Sequence, residues 1–213
     1  MTSLAKQQYR LIAEQLIPKL QKNKFEASYV DTKEEALQFL LDHIPQEAAV
    51  GFGGSATLAE LGIEDKLLER GHTVYNHNRP GLSPEEVHQF RHAELSCHTF
   101  LTSTNALTLN GELVNKDGTA NRVAAMMFGP QQVIIVAGMN KITADIESAL
   151  KRIELEAAPR NNMRLGMPNP CTRIGSCVNC QLPTRICNVT TIMHHKPGGI
   201  QIHILLVGES LGF

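Results

Sequence analysis

Three groups of residues in this sequence have the types and spacing that chemistry needs. The first is Gly51-Phe52-Gly53-Gly54-Ser55, which follows an apolar run and precedes Leu58, Leu61 and Leu67 at helical spacing, so it reads as a strand-to-helix turn. Gly53 and Gly54 allow a ligand close to the backbone. Ser55 opens a helix whose free amides and partial positive charge suit an anion. A tight turn chosen for packing would use the same residues. No Gly-Lys-Ser/Thr follows and the glycine spacing is not that of a dinucleotide fingerprint, so neither a Walker A loop nor that fingerprint is present.

The second group is a polar run, Thr102 to Asn105 and Asn110 to Arg122, lying between two apolar strands. Glu112 and Asp117 are able to act as base or acid. Asn105, Asn115 and Asn121 can orient hydroxyls or carboxylates, and Arg122 can hold an anion through paired hydrogen bonds. Asn110-Gly111 and Asp117-Gly118 read equally as turns. Glu112, Asn115, Asn121 and Arg122 are harder to explain as turn formers, and they are expected to converge with the glycine turn in one crevice.

The third group is a set of cysteines. Of five in the chain, Cys171, Cys177, Cys180 and Cys187 fall in one short segment and Cys97 stands alone. With no apolar leader in Met1 to Arg10, this clustering points to a metal or redox role rather than a disulfide framework. Four thiolates suit zinc or an iron-sulfur cluster, although the gaps outside Cys177-Val178-Asn179-Cys180 match neither a common zinc ribbon nor a ferredoxin. Reduced cysteines packed beneath a hairpin are the alternative. The histidines are scattered, with no H-E-x-x-H spacing.

The glycine turn through Gly62, Ser103-Thr104-Asn105-Ala106, Gly111 to Asn115, Asp117 to Ala124 and Gly129-Pro130 together resemble the core pattern of the LUD (lactate-utilization) domain family, over roughly residues 32–160. The resemblance implies a three-layer fold similar to the ribose-5-phosphate isomerase, glucosamine-6-phosphate deaminase and CoA-transferase group. It also implies an association with L-lactate oxidation beside iron-sulfur partner proteins, a redox setting that tips the cysteine site toward iron-sulfur. The cysteine-bearing tail departs from the plainest members. The expected function is therefore binding of a small anionic or nucleotide-like ligand at the strand ends, in lactate or 2-hydroxy-acid utilization. An isomerase- or transferase-like enzyme acting on a sugar phosphate or CoA ester is one alternative, and a non-catalytic ligand-binding regulator another. A homo-oligomer is compatible with each.

These residues need a scaffold, and the pattern supplies one. A first amphipathic helix carries Leu4, Leu11, Leu16 and Leu20, with Pro18 expected to kink or shorten it. Strand candidates at Phe25 to Val30, Ala48 to Phe52, Thr73 to Tyr75, Thr99 to Thr102 and Val133 to Val136 alternate with helices. Thr32-Lys33-Glu34-Glu35, Ser55 and Ser83-Pro84-Glu85-Glu86 are the helix starts. That alternation predicts an α/β domain, a mostly parallel sheet with helices on both faces. The expected boundaries are a main domain over residues 1–158, a proline- and asparagine-rich linker over 159–170, and a cysteine segment with a C-terminal β-hairpin extension over 171–213.

Composition narrows the function classes. In 213 residues, 20 basic side chains balance 21 acidic ones with no cationic stripe, which argues against a nucleic-acid surface. No apolar run approaches a membrane span, and a cytoplasmic location is expected. Without Trp and with 5% aromatics, the core must be aliphatic.

Overall fold

Strand β7 (Gln132–Gly138) is the most apolar run of the chain, and its alternating side chains feed two separate cores. Val133 and Ile135 join Leu16, Leu20, Phe100, Val123 and Met126 on one side. Ile134 and Val136 join Ala36, Leu40, Leu58, Ile63 and Leu67 on the other. A strand apolar on both faces is stable only with helices above and below it. The computed structural model, which describes residues 3–213, has that three-layer arrangement.

The central sheet has six strands, all parallel, in the order β1 (Glu26–Val30), β10 (Gln201–Val207), β7, β4 (Thr99–Thr102), β2 (Val50–Phe52) and β3 (Val74–Tyr75). Helices α1 (Ser3–Lys22), α5 (Pro84–Ser96) and α6 (Asn121–Met127) carry the first core; α2 (Lys33–His43), α3 (Ala56–Leu61) and α4 (Ile63–Glu69) carry the second. The expected starts hold. Thr32 accepts from the Glu35 amide, Ser55 from Leu58, and Ser83 and Glu86 form a reciprocal capping box. Gly62, in the left-handed conformation at φ 64°, divides the helix that follows the glycine turn into α3 and α4. Helix α1 runs through Pro18 to Lys22. Leu16 and Leu20, buried on either side of the proline, hold it in register.

A second sheet of four strands lies at the end of the first: β8 (Ile142–Thr143), β5 (Ala106–Thr108), β6 (Leu113–Asp117) and β9 (Val189–Met193). Strands β5 and β6 are the hairpin expected around Asn110-Gly111. Its covering helix begins as α7 (Ile146–Arg152), widens into a π turn over Ile153–Ala157 and continues as α8 (Ala158–Arg164). A short α9 (Cys171–Ile174) follows.

Two expectations need correction here. The C-terminal strands do not form a hairpin: β9 pairs antiparallel with β6 in the second sheet, while β10 inserts between β1 and β7. The reason is burial. Ile202, Ile204, Leu205, Leu206 and Val207 are buried on both faces and need the interior of a parallel sheet, whereas β9 alternates between covered and exposed positions. The linker expected from Pro159 is helical as far as Arg164, because the helix widens into the π turn just before Pro159 and the Cys177 amide takes the carbonyl that the proline cannot serve.

Candidate functional site

The carboxyl ends of β2 and β4 open into a crevice of about 270 Å³. Its floor and walls come from the glycine turn after β2, the β4–β5 connection, the end of β6, the start of α6 and the turn after β7. This is where a parallel sheet places a ligand. Gly53, Gly54, Ser55, Asn105, Asp117, Asn121 and Arg122 all line it, so the glycine turn and most of the polar run converge.

Asn115 lies just behind the wall, 1% exposed, its Oδ1 accepting from the Asn105 amide (3.1 Å), Thr104 Oγ1 (3.2 Å) and Arg122 Nη1 (2.8 Å). Glu112 is elsewhere, a correction to the expected set. It sits at the far end of the β5–β6 hairpin, accepting from Thr108 Oγ1 at 2.7 Å and facing His194 Nδ1 at 3.3 Å. Residues at opposite ends of a five-residue strand cannot share a site.

Arg122 is engaged by the protein through all three of its nitrogens. Nε donates to Asp117 Oδ2 (3.1 Å), Nη1 to Asn115 Oδ1 and the Ser103 carbonyl (3.2 Å), and Nη2 to Asn105 Oδ1 (3.1 Å) and the Lys116 carbonyl (3.0 Å). These five bonds use the whole donor set of a guanidinium. Arg122 therefore pins the β4–β5 connection to the end of β6. Asp117 completes the corner by accepting from the Ala120 amide at 2.8 Å, which holds Ala120 in a left-handed conformation (φ 68°) at the start of α6. Asp117 thus forms the turn expected of it and also lines the crevice.

The glycine turn contributes room. Gly53 donates its amide to the Leu101 carbonyl in continuation of the sheet, and the Ser55 hydroxyl is engaged in capping. A Cβ at Gly53 would lie 2.6 Å from Thr102 Oγ1 and 2.9 Å from Arg122 Cγ, so the crevice floor closes on this position.

The sequence reading missed Lys141. It stands in a 3-10 turn (Met139–Lys141) at the carboxyl end of β7, 2% exposed, with Nζ donating to Thr57 Oγ1 at 2.9 Å and Ser103 Oγ at 2.8 Å. Burial, with Arg152 and Arg122 nearby and only Glu60 opposing, pulls its ammonium from 10.5 down to about 7. Arg152, itself 7% exposed, fixes this corner by donating to the Asn140 and Asn105 carbonyls. The available signal was position: Lys141 follows the most apolar strand, at the end where ligands bind.

His77 and Glu94 were missed as well. Glu94, 1% exposed on α5, accepts from His77 Nδ1 at 2.7 Å and from the His77 amide at 3.1 Å, and its other oxygen faces Asn121 Nδ2 at 3.4 Å. A carboxylate can only accept, so Nδ1 carries the proton. Nε2 then accepts from Asn78 Nδ2 at 3.0 Å on the crevice side.

Five cationic side chains line the crevice (Arg91, Lys116, Arg122, Lys141 and Arg164), and among the described residues Asp117, which Arg122 already engages, is its one carboxylate side chain. The Nε of Arg91 is buried without a hydrogen-bond partner.

A family model described as the LUD domain matches residues 13–207. The chain belongs to the LUD-domain family. This LUD-domain protein is also similar to a solved structure described as a DUF162 family protein from Deinococcus radiodurans. The two are 17% identical, with 93% of this chain and 98% of that one covered, at a TM-score of 0.55, a likeness of fold. No curated protein matches the sequence. The match takes in both sheets, so β9 and β10 belong to the LUD fold and are no appendage to it. Among the described residues of this LUD-domain protein, no helix is long and apolar enough to cross a membrane.

Proposed function

We propose that this LUD-domain protein binds a small metabolite bearing a carboxylate or phosphate in the crevice, and that it serves the use of lactate or a related 2-hydroxy acid, the general association of its family. The observation that carries the reading is the charge imbalance around Lys141. Its amine hydrogen-bonds two hydroxyls and no carboxylate among the described residues, in a wall of further cations. An anion entering this space supplies the missing counter-charge.

A 2-hydroxy acid offers a carboxylate to the cationic wall and a hydroxyl to the Lys141 amine, which near neutrality can both donate and accept a proton. His77, its Nδ1 held by Glu94 and its Nε2 by Asn78, stands at the rim.

Anion binding raises the affinity of Lys141 for its proton. Calorimetric titration with L-lactate at about pH 8, in buffers of different ionisation enthalpy, should therefore show uptake of up to about one proton per site. The uptake should vanish in Lys141→Met. Absence of saturable binding for L-lactate, pyruvate and inorganic phosphate alike would refute the reading.

A further inference from the structure

We propose that Cys171, Cys177, Cys180 and Cys187 bind one metal centre through four thiolates, an iron-sulfur cluster or a zinc ion, on the outer wall of the crevice. The inference rests on the way this segment is built and stands apart from the anion reading.

Residues between Gly175 and Asn188 form neither helix nor strand, and Ile174, Val178 and Leu182 are all exposed. Hydrophobic burial does not explain why this stretch holds one shape. Polar fixings do. In the π turn the Ala158 amide bonds to the Ile153 carbonyl, and Pro159 has no amide to offer, so the Glu154 carbonyl is left without an intrahelical partner. The Cys177 amide fills that place at 2.8 Å. Pro159 thus helps create the docking point for the cysteine turn.

The turn itself has the form of a metal-binding knuckle. Asn179 adopts a left-handed conformation (φ 48°) inside Cys177-Val178-Asn179-Cys180 and donates its amide to Cys177 Sγ at 3.4 Å. Arg185 then clamps the ring of chain, donating to the Cys180 carbonyl (2.7 Å), the Cys187 carbonyl (3.0 Å) and Asn179 Oδ1 (3.0 Å). One arginine therefore orders Cys180 and Cys187 by their backbone and leaves their sulfurs uncommitted.

Asn169, two residues before Cys171, ties that end of the segment to Thr184, three residues before Cys187, donating to its carbonyl at 2.9 Å and accepting from its hydroxyl at 2.6 Å. Four thiolates crowded together are unfavourable without a cation, and a metal reverses that balance. Among the described residues no three of these ligands already stand in single-ion geometry, so binding must draw the sulfurs inward. Cys177, Cys180 and Cys187 are only half-buried, free to do so. Ile186, beside Cys187, lines the crevice, which places the centre one residue from the anion site.

The test is metal and sulfide analysis of the full chain purified without oxygen, then reconstituted with iron and sulfide or with zinc. The expected result is one centre per chain: about four irons with equal sulfide and a visible absorbance that dithionite bleaches, or about one colourless zinc. Cys177→Ser and Cys180→Ser should each lower the metal content at least tenfold, while Cys97→Ser, outside the segment, retains it. Cys180 is half-exposed, so its replacement leaves the cores intact, and circular dichroism checks this. Wild-type protein that holds no stoichiometric metal after reconstitution overturns the proposal. So does metal content undiminished in both serine variants.

Discussion

Lys141→Met should make the protein's stability less dependent on pH, by an amount that follows from the burial of one ammonium. Folding moves this group from 10.5 down to about 7. At ~1.4 kcal/mol per pH unit, that spans about 5 kcal/mol between the two limits. Above the unfolded value neither state carries the proton and burial costs nothing electrostatically. As pH falls from 10.5 toward 7 the unfolded chain gains a proton that the folded chain refuses, so stability drops. Below about 7 both states are protonated and the full cost is present. Methionine fills similar volume without a charge. The difference in unfolding free energy between wild type and variant isolates Lys141 from every other titrating group. Urea denaturation of both proteins from about pH 7 to about pH 9 should show wild type gaining about 2 to 3 kcal/mol on the variant. At the lower pH the variant should be at least as stable as wild type while having lost its ligand. A difference that stays constant across this range would refute a buried, depressed lysine and the proton uptake built on it.

Two further substitutions probe the crevice. Arg122→Ala strands the Asp117 carboxylate and unties Asn105, Asn115 and the Ser103 and Lys116 carbonyls, and should cost about 3 to 5 kcal/mol by urea denaturation; a loss below about 1 kcal/mol would show that the hub is dispensable. Gly53→Ala drives a methyl into Thr102 and Arg122, so destabilisation of about 1 to 3 kcal/mol and weaker anion affinity are expected by denaturation and calorimetry; wild-type values for both would mean that the floor yields.

The sequence carried the local parts of this structure well. Thr32, Ser55 and Ser83 announce their helices because a cap is a contact between residues three apart. The convergence of Gly53, Asn105, Asp117 and Arg122 was legible because strand ends share one side of a parallel sheet. What stayed hidden depends on distant neighbours. Nothing in Met139-Asn140-Lys141 says that Thr57 and Ser103 will receive the amine, nor in His77 that Glu94 will reach it from another helix. Glu112 was misplaced because a hairpin separates its two ends, however close they are in sequence. The pairing of β9 with β10 was assumed from adjacency, yet the doubly buried run from Ile202 to Val207 already had the composition of an interior strand.

The position of β10 sets the order in which this molecule can assemble. β1 lies among the first thirty residues, but its strand partner is β10, and it has no other neighbour in the sheet. During synthesis β2, β3, β4 and β7 can associate as soon as they emerge, while β1 waits for a strand partner more than 170 residues downstream. Until then β7 presents an open edge, apolar beyond Gln132, the kind of surface that recruits the wrong strand. The late strand closes that gap from both sides at once, so the sheet is completed by a contact of long sequence separation, the kind that slows folding.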